Sequence, residues 1–132
     1  MFVLTEPKKT IEEIAALDGR YDVRALQFVY EGLGRTVERF RQEYDGSFEP
    51  HHISGAQLAG GLGEFAMERW GRLARFVLER WGVNTTRDFG EIVYMMIDHG
   101  WMSAQESDRV EDFDAVFDFE QNFEKGFRFN NV

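Results

Sequence analysis

The sequence predicts an all-α protein, a compact bundle of about five to six helices with an aromatic-rich C-terminal tail that is partly extended. The first observation behind this prediction is that apolar residues recur every three or four positions along most of the chain. The second is that Ser, Thr or Asp precedes these stretches and glycine often follows them, as at helix ends. The third is that both prolines, Pro7 and Pro50, lie outside the periodic segments.

Two helices are predicted before the main loop. A capping-box pair, Thr10 and Glu13, opens a short first helix, and Gly19 ends it. The apolar face of that helix holds Ile11, Ile14 and Leu17. Asp22 is placed to cap a longer second helix, which carries the most regular apolar stripe of the chain: Leu26, Tyr30, Leu33, Val37, Phe40 and Tyr44. Turn-forming residues then predict a loop over residues 43–52.

The third helix is predicted to be central and buried. Ser54 is placed to cap it, and a stripe of small residues runs beside its large apolar ones: Ala56, Ala59, Gly60, Gly63 and Ala66. Such a stripe forms a poor isolated helix but a good seat for a neighbouring helix. Gly32 and Gly34 of the second helix each cost about 1 kcal/mol relative to alanine, so we expect them to allow a close approach between helices.

The tetrapeptide Glu-Arg-Trp-Gly occurs twice within residues 68–82. The repeat distance of about eleven residues makes about three helical turns, so Trp70 and Trp81 are predicted to share a face that packs into the core. Three apolar residues lie near the same side: Leu73, Phe76 and Val77. The opposite, solvated edge holds Arg69, Arg72 and Arg80. Gly71 either bends or breaks the helix, and the pattern does not decide between these alternatives.

Helical signals continue into the C-terminal third. Thr85 and Asp88 form a second capping box, Gly100 ends the helix that follows, and its apolar face holds Phe89, Ile92, Val93, Met96 and Ile97. A third capping box, Ser103 with Glu106, predicts a short helix over residues 104–110. The phenylalanines that follow fit either a helix over 111–124 or alternating strands; the helix is favoured, with an extended tail after it.

Length and composition restrict the class of protein. A chain of 132 residues is expected to form one helical domain over residues 1–132, with irregular tails at 1–8 and 125–132. The 13 Phe, 4 Tyr and 3 Trp predict a core rich in aromatic rings. The absence of cysteine excludes disulfides, thiolate metal ligands and cysteine nucleophiles. The opening residues do not resemble a secretory leader and no stretch approaches the ~20 apolar residues of a membrane span, so a cytoplasmic location without a membrane partner is expected.

The net charge of −9 is unevenly distributed. Residues 83–132 carry four basic and eleven acidic groups, whereas residues 47–82 are balanced. An excess of carboxylates repels phosphates, so a nucleic-acid partner is not expected.

Four segments carry a family resemblance: DGRYDVRALQFVYEGLGRTVE, HHISGAQLAGGLGEFAMERWG, WGVNTTRDFGEIVYMMIDHGWMSAQESDRVEDF and DAVFDFEQNF. Together they cover nearly the whole chain, and the order of their motifs is Arg20-Tyr21, Trp81-Gly82, Asp88-Phe89-Gly90 and Asp112-Phe113. On these motifs the chain resembles a family of conserved hypothetical proteins found mainly in planctomycetes, verrucomicrobia and related bacteria. The resemblance implies a bacterial single-domain protein and supplies no catalytic residues, because that family has no assigned activity.

The acidic residues of the C-terminal third are the main candidates for partner binding: Glu106, Asp108, Glu111, Asp112, Asp114 and Asp118. They lack the central glycine of a calcium loop, so a solvated acidic face is favoured over a cation site. We expect this face to bind a basic protein, or to fold back on the arginine edge of Arg69, Arg72 and Arg80.

His51 and His52 are weak candidates for a metal site, because adjacent histidines rarely bind one ion without further ligands. A hydrogen-bonded loop is favoured for them, and no cofactor is expected. No nucleophile elbow and no phosphate-binding glycine pattern occurs, so no catalytic residue is assigned.

Three functions follow, in order of preference. The first is a non-catalytic protein-interaction or adaptor module, with self-association through the phenylalanines of the tail as one version. The alternative is a winged-helix-like regulator associated with nucleic acid, in which residues 77–102 form helix, turn, helix and wing; its second helix offers only Arg87 against Asp88, Glu91 and Asp98. The second alternative is a metal-dependent enzyme that uses the His51/His52 loop.

Overall fold

The computed structural model describes residues 3–4, 9–43 and 53–124, and in these ranges the chain is mainly helical. Five α-helices follow one another there: α1 (Ile11–Asp18), α2 (Val23–Glu43), α3 (Gly55–Trp70), α4 (Ala74–Arg80) and α5 (Thr86–Asp98). Two-residue strands β1 (Val3–Leu4) and β2 (Met102–Ser103) pair antiparallel. Short 3-10 helices span Gly71–Leu73 and Val110–Phe113, and a π-helical turn spans Glu120–Glu124. The predicted all-α class is confirmed.

The predicted helix caps are present at the ends of α1 and at the start of α3. The Thr10 hydroxyl accepts the N–H of Glu13, whose carboxylate accepts the N–H of Thr10, both at 3.0 Å. Gly19 ends α1 in the left-handed conformation, with φ of 79°. Ser54 and Gln57 form the same reciprocal pair before α3. These local sequence signals therefore fix where the first and third helices begin.

Helix α3 lies at the centre of the bundle, as its stripe of small residues predicts. Most of that stripe is buried: Ala59, Gly60, Gly63 and Ala66. Gly32 of α2 faces Leu62 of α3 so closely that an added Cβ would overlap the Leu62 side chain, which confirms the expected close approach there. Gly34 has open space beside it, so the same expectation is wrong for Gly34.

Aromatic rings occupy the middle of the core around Phe28. The Phe28 ring stacks on Phe65 with 4.9 Å between centroids, and it also contacts Trp70 at 5.1 Å. Trp81 and Phe89 lie slightly farther away, at 6.3 and 6.4 Å. One ring cluster therefore joins α2, α3 and α5 with the turn after α4.

The turn between α1 and α2 packs directly against the turn between α4 and α5. The Asp22 N–H donates to the Trp81 carbonyl oxygen at 3.0 Å. Gly82 has φ of 93°, and a Cβ added there would lie 2.6 Å from the carbonyl oxygen of Arg20. Backbone thus meets backbone at this point without space for a side chain.

Asp88 forms hydrogen bonds at the same junction, where the α1–α2 turn packs against the α4–α5 turn. Its Oδ1 accepts a hydrogen bond from the Tyr21 hydroxyl at 2.6 Å. Its Oδ2 accepts the N–H of Asn84 at 2.8 Å and that of Thr85 at 3.2 Å. Asp88 therefore fulfils the capping role predicted for it at the start of α5, and it also holds the α1–α2 turn in place.

The junction makes the stability of the protein sensitive to alkaline pH. Burial, together with the hydrogen bond to Asp88, raises the pKa of Tyr21 well above its ordinary value, and burial raises the pKa of Tyr94 to about 12. Above about pH 10 the unfolded chain loses tyrosine protons that the folded protein retains, so we expect the free energy of unfolding to fall as pH rises beyond that point. Tyr21→Phe should cost about 1.5–3 kcal/mol at neutral pH and flatten the alkaline decline in urea titrations. An unchanged decline in Tyr21→Phe would contradict this assignment.

The segment after α5 departs from the helix predicted over residues 104–110. Met102–Ser103 pairs with Val3–Leu4, which also replaces part of the irregular tail expected at residues 1–8. A turn follows, in which the Asp108 carboxylate accepts the N–H of Gln105 at 2.7 Å. Strand pairing holds the chain extended at Met102–Ser103, where the helix was predicted to start, so the prediction is wrong.

The continuous helix predicted over residues 111–124 is also wrong, since only its two ends are helical. Phe113 is fully buried, and its carbonyl oxygen accepts the buried Thr86 hydroxyl at 2.6 Å. The Thr86 oxygen in turn accepts the N–H of Val116 at 3.2 Å. This tertiary anchoring draws the chain off the helical path, and Ala115 takes a positive φ of 49°. Of the loop predicted over residues 43–52, Glu43 ends α2 and the rest lies outside the described residues, as does the tail predicted over residues 125–132.

Candidate functional site

The structure uses half of the predicted acidic partner-binding residues as local turn acceptors. Asp108, Asp112 and Asp118 accept the backbone N–H groups of Gln105, Arg109 and Gln121, at 2.7, 3.1 and 2.9 Å. Glu106 and Glu111 are exposed. The acidic face is therefore partly committed to holding its own backbone.

Three of these carboxylates lie near one tyrosine of α5. Burial is the main cause of the raised pKa of Tyr94, and the negative charges of Asp108, Asp112 and Glu111 add to it. The Tyr94 hydroxyl is buried and has no hydrogen-bond partner among the described residues. Within those residues, no group of three His, Asp or Glu side chains is placed to hold a metal ion. The acidic residues thus form a charged surface beside Tyr94.

Acidic residues of segment 104–124 do pair with arginines, but the arginines differ from those that the sequence predicts. Asp114 pairs with Arg87 at 3.0 Å, and Glu124 pairs with Arg75 at 3.0 Å. In the part of the chain that the structure describes, none of the predicted arginines Arg69, Arg72 and Arg80 pairs with a residue of this segment. The reason is the position of α4, whose Arg75 lies toward the π-helical turn.

The arginines of the predicted edge lie in two different environments, Arg69 in one and Arg72 and Arg80 in the other. Arg69 pairs with Glu31 of α2 at 3.0 Å, and its guanidinium lies over Phe65, 4.6 Å from the ring centre. Arg80 lies over Phe76 at 5.8 Å. Arg72 and Arg80 are exposed and form no ion pair among the described residues. Arg69 therefore belongs to the α2–α3 contact, while Arg72 and Arg80 remain available.

Trp70 and Trp81 meet as predicted, but not along one continuous helix. Their rings lie 5.2 Å apart at an interplanar angle of 82°, and both pack against the core. Helix α3 ends at Trp70 because Gly71 adopts φ of 56° and ψ of −132°, a conformation open essentially to glycine alone. Of the two alternatives for Gly71, a bend or a break in the helix, the structure shows the break.

The break turns two apolar side chains outward that were predicted to face the core. Leu73, at the end of the 3-10 helix, is 65% exposed and Phe76 of α4 is 60% exposed, whereas Ala74 and Leu78 of α4 are fully buried. With Arg72 and Arg80 they form a surface that we call the α4 patch. Leu17 of α1, also predicted to face inward, is the other large apolar side chain that is strongly exposed among the described residues.

A groove of about 610 Å³ between α2 and α3 offers no comparable site. Its charged side chains neutralise one another across the two helices, in the pairs Arg35–Glu68, Arg39–Glu64 and Arg69–Glu31. The order of these three ion pairs along α2 and α3 also shows that the two helices run antiparallel. Since its charges are already paired, the groove presents little unsatisfied chemistry to a ligand.

In the segment expected to form helix, turn, helix and wing, the second helix, α5, offers no basic surface. Arg87 of α5 pairs with Glu91 at 2.8 Å and with Asp114 at 3.0 Å. The apolar side of α5 is covered, with Phe89, Ile92 and Val93 fully buried. No free cation on this helix is therefore offered to a DNA groove. His51 and His52 lie outside the described residues.

Residues of the sequence motifs Arg20-Tyr21, Asp88-Phe89-Gly90 and Asp112-Phe113 contact one another. Tyr21 bonds Asp88, as described above, and Gly90 faces Phe113, whose ring would lie 2.7 Å from a Cβ added at Gly90. These pairs hold turns of the fold together, which gives the motifs a structural role.

Comparison with protein-family models, with curated proteins and with solved structures finds no match. Among the described residues, none of the helices combines the length and the apolar character that crossing a bilayer requires.

Proposed function

We propose that this protein is a non-catalytic protein-interaction module, an adaptor of the bacterial cytoplasm, that binds its partner through the α4 patch. The observation that carries the proposal is the outward position of Leu73 and Phe76. Large apolar side chains scattered singly on a surface are ordinary, but neighbouring ones rimmed by polar groups are typical of interaction sites. Leu73 and Phe76 gain little from folding, because most of the surface of each stays in water.

The ordered structure around Gly71, between α3 and α4, favours binding. Helix α4 is fixed from below by Ala74 and Leu78, and the preceding turn is fixed by the ring contact between Trp70 and Trp81. A partner therefore meets a surface that is already ordered, and association does not have to pay for ordering it. Aromatic and arginine side chains are also the residue types that contribute most at protein interfaces.

The acidic face is the weaker candidate for partner binding. Asp108, Asp112 and Asp118 serve as backbone acceptors, and Asp114 pairs with Arg87. A basic protein would have to compete with these contacts. We therefore assign the primary interaction to α4 and treat the acidic face as a solubilising surface.

The proposal is tested by affinity capture with matched variants. Leu73→Ser combined with Phe76→Ser is expected to recover the native partner at least ten-fold less than the unchanged chain, measured by quantitative mass spectrometry on lysate of the source organism. Because both side chains are exposed, each substitution should change the free energy of unfolding by less than about 0.5 kcal/mol, which thermal unfolding checks.

Leu17→Ser is the matched control, since Leu17 is 66% exposed but lies on α1, away from the α4 patch. It should recover the partner as well as the unchanged chain does. Equal recovery by the control and by the Leu73/Phe76 double variant would contradict the proposal.

A further inference from the structure

Two of the few arginines that lack an ion pair lie at the α4 patch. The described residues include eleven arginines, and eight of them pair with carboxylates: Arg20, Arg24, Arg35, Arg39, Arg41, Arg69, Arg75 and Arg87. Only Arg72, Arg80 and Arg109 form no ion pair within that part of the chain. Two of these three arginines lie beside the exposed Leu73 and Phe76, in a chain of net charge −9.

The spacing of these groups describes a binding motif. Leu73, Phe76 and Arg80 follow at steps of three and four and so share one side of the helix, and the Arg80 guanidinium over Phe76 confirms this. Arg72 lies four residues before Phe76. Arg72 lies in the 3-10 helix and Arg80 at the end of α4, so the patch extends about 13 Å, at ~2.0 Å per residue in the 3-10 helix and ~1.5 Å per residue in α4. It therefore presents a cation at each end and apolar surface between them.

From this arrangement we propose that the α4 patch binds an acidic segment of a partner protein, one that places carboxylates about two helical turns apart on either side of an apolar side chain. The inference rests on the proposed function and specifies the chemistry of its partner. The carboxylates would pair with Arg72 and Arg80, and the apolar side chain would cover Leu73 and Phe76. Arginine suits this role because its planar guanidinium can bind a carboxylate through two hydrogen bonds.

A short protein segment fits the patch better than an anionic membrane or a nucleic acid. Those partners are extended arrays of negative charge, and they would also meet the carboxylates close to α4. Glu79 lies on α4 itself, and Glu124 pairs with Arg75 of that helix. A narrow segment can contact the two arginines while avoiding these acidic neighbours.

The test uses a synthetic helical peptide with glutamates two turns apart around a Leu-Phe pair, and a matched peptide with glutamine at those positions. Titration into the isotopically labelled full chain should shift the amide resonances of residues 72–80. The glutamate peptide should bind at least ten-fold more tightly than the glutamine peptide, and raising salt from about 0.05 to about 0.3 M should reduce that preference, because screening shortens the range of charge interactions. No binding, or equal binding of the two peptides, would overturn the inference.

Protein variants separate this inference from the proposed function. Arg72→Gln with Arg80→Gln should abolish the preference for the glutamate peptide, whereas Arg109→Gln, which changes the third arginine without an ion pair, should retain it. If the double arginine variant captures the native partner normally while the Leu73/Phe76 double variant does not, the acidic-segment inference fails and the proposed function stands. If neither double variant affects capture, both fail.

Two further measurements test whether the α4 patch has a different occupant, a membrane or a second copy of the chain. Binding to vesicles of phosphatidylcholine and phosphatidylglycerol that requires Phe76, in a chain that ignores the peptide, would make the patch a membrane contact and overturn the inference. Sedimentation showing a dimer that Phe76→Ser dissociates would assign the patch to a second copy and overturn it equally.

Discussion

Phe113→Ala is expected to lower the free energy of unfolding by about 3–5 kcal/mol, the range for truncating a fully buried phenylalanine. The Phe113 ring occupies a slot between α3 and α5: a Cβ added at Gly55 would lie 3.0 Å from it, and one added at Gly90 would lie 2.7 Å away. Both walls of the slot are helix backbone, which cannot collapse into the cavity that alanine would leave. Denaturant unfolding of the two proteins measures the effect.

Phe113→Ala should also favour local unfolding of residues 105–124 under conditions in which the rest of the chain stays folded. The Phe113 carbonyl holds the Thr86 hydroxyl, so loss of the ring removes the anchor that keeps this hydrogen bond out of water. Hydrogen exchange is expected to accelerate in residues 105–124 more than in α2 or α3. Phe76→Ala, which truncates a phenylalanine that is 60% exposed, should change stability by less than about 0.5 kcal/mol. Similar losses in the two variants would refute the burial argument.

Gly82→Ala is expected to destabilise the protein by about 3 kcal/mol, through two effects that add. Alanine is strained at the φ of 93° found there, at a cost of about 1–2 kcal/mol. Its Cβ would also press against the Arg20 carbonyl oxygen, 2.6 Å away, and overpacking of this kind costs about 1–3 kcal/mol. The backbone on the other side cannot turn aside as a flexible side chain can.

Gly19→Ala provides the matched control, because Gly19 has a similar φ of 79° but no atom within 4 Å of its added Cβ. It should show the conformational cost alone, about 1–2 kcal/mol. Thermal or urea unfolding of both variants yields the difference, about 1–2 kcal/mol, as the contribution of the close contact between the two turns. Equal losses would show that the turns can separate freely.

The features that the sequence predicts well are those determined by neighbours in the chain. The Thr10–Glu13 cap and the Ser54 cap depend on residues three apart, and both occur in the structure. The burial of α3 follows from its small residues, whose close packing requires another helix. The meeting of Trp70 and Trp81 was also anticipated, although the geometry that achieves it differs.

The features that the sequence misses depend on tertiary contacts. A continuous helix would have placed Leu73 and Phe76 beside the tryptophans, and only the break at Gly71 turns them outward. Phenylalanine spacing after residue 110 permits a helix, but pairing of Phe113 with two glycines distant in sequence prevents it. The exposure of Arg72 and Arg80 was predicted, whereas the apolar surface between them was not.

The perpendicular indoles of Trp70 and Trp81 supply an optical signal. Chromophores with 5.2 Å between their centres couple electronically, so the pair should give an exciton couplet in far-ultraviolet circular dichroism, superimposed on the helical bands. Because Gly71 lies between the two residues, the couplet monitors the angle of the corner rather than the amount of helix. A spectroscopist could therefore follow events at α4 in the unlabelled protein.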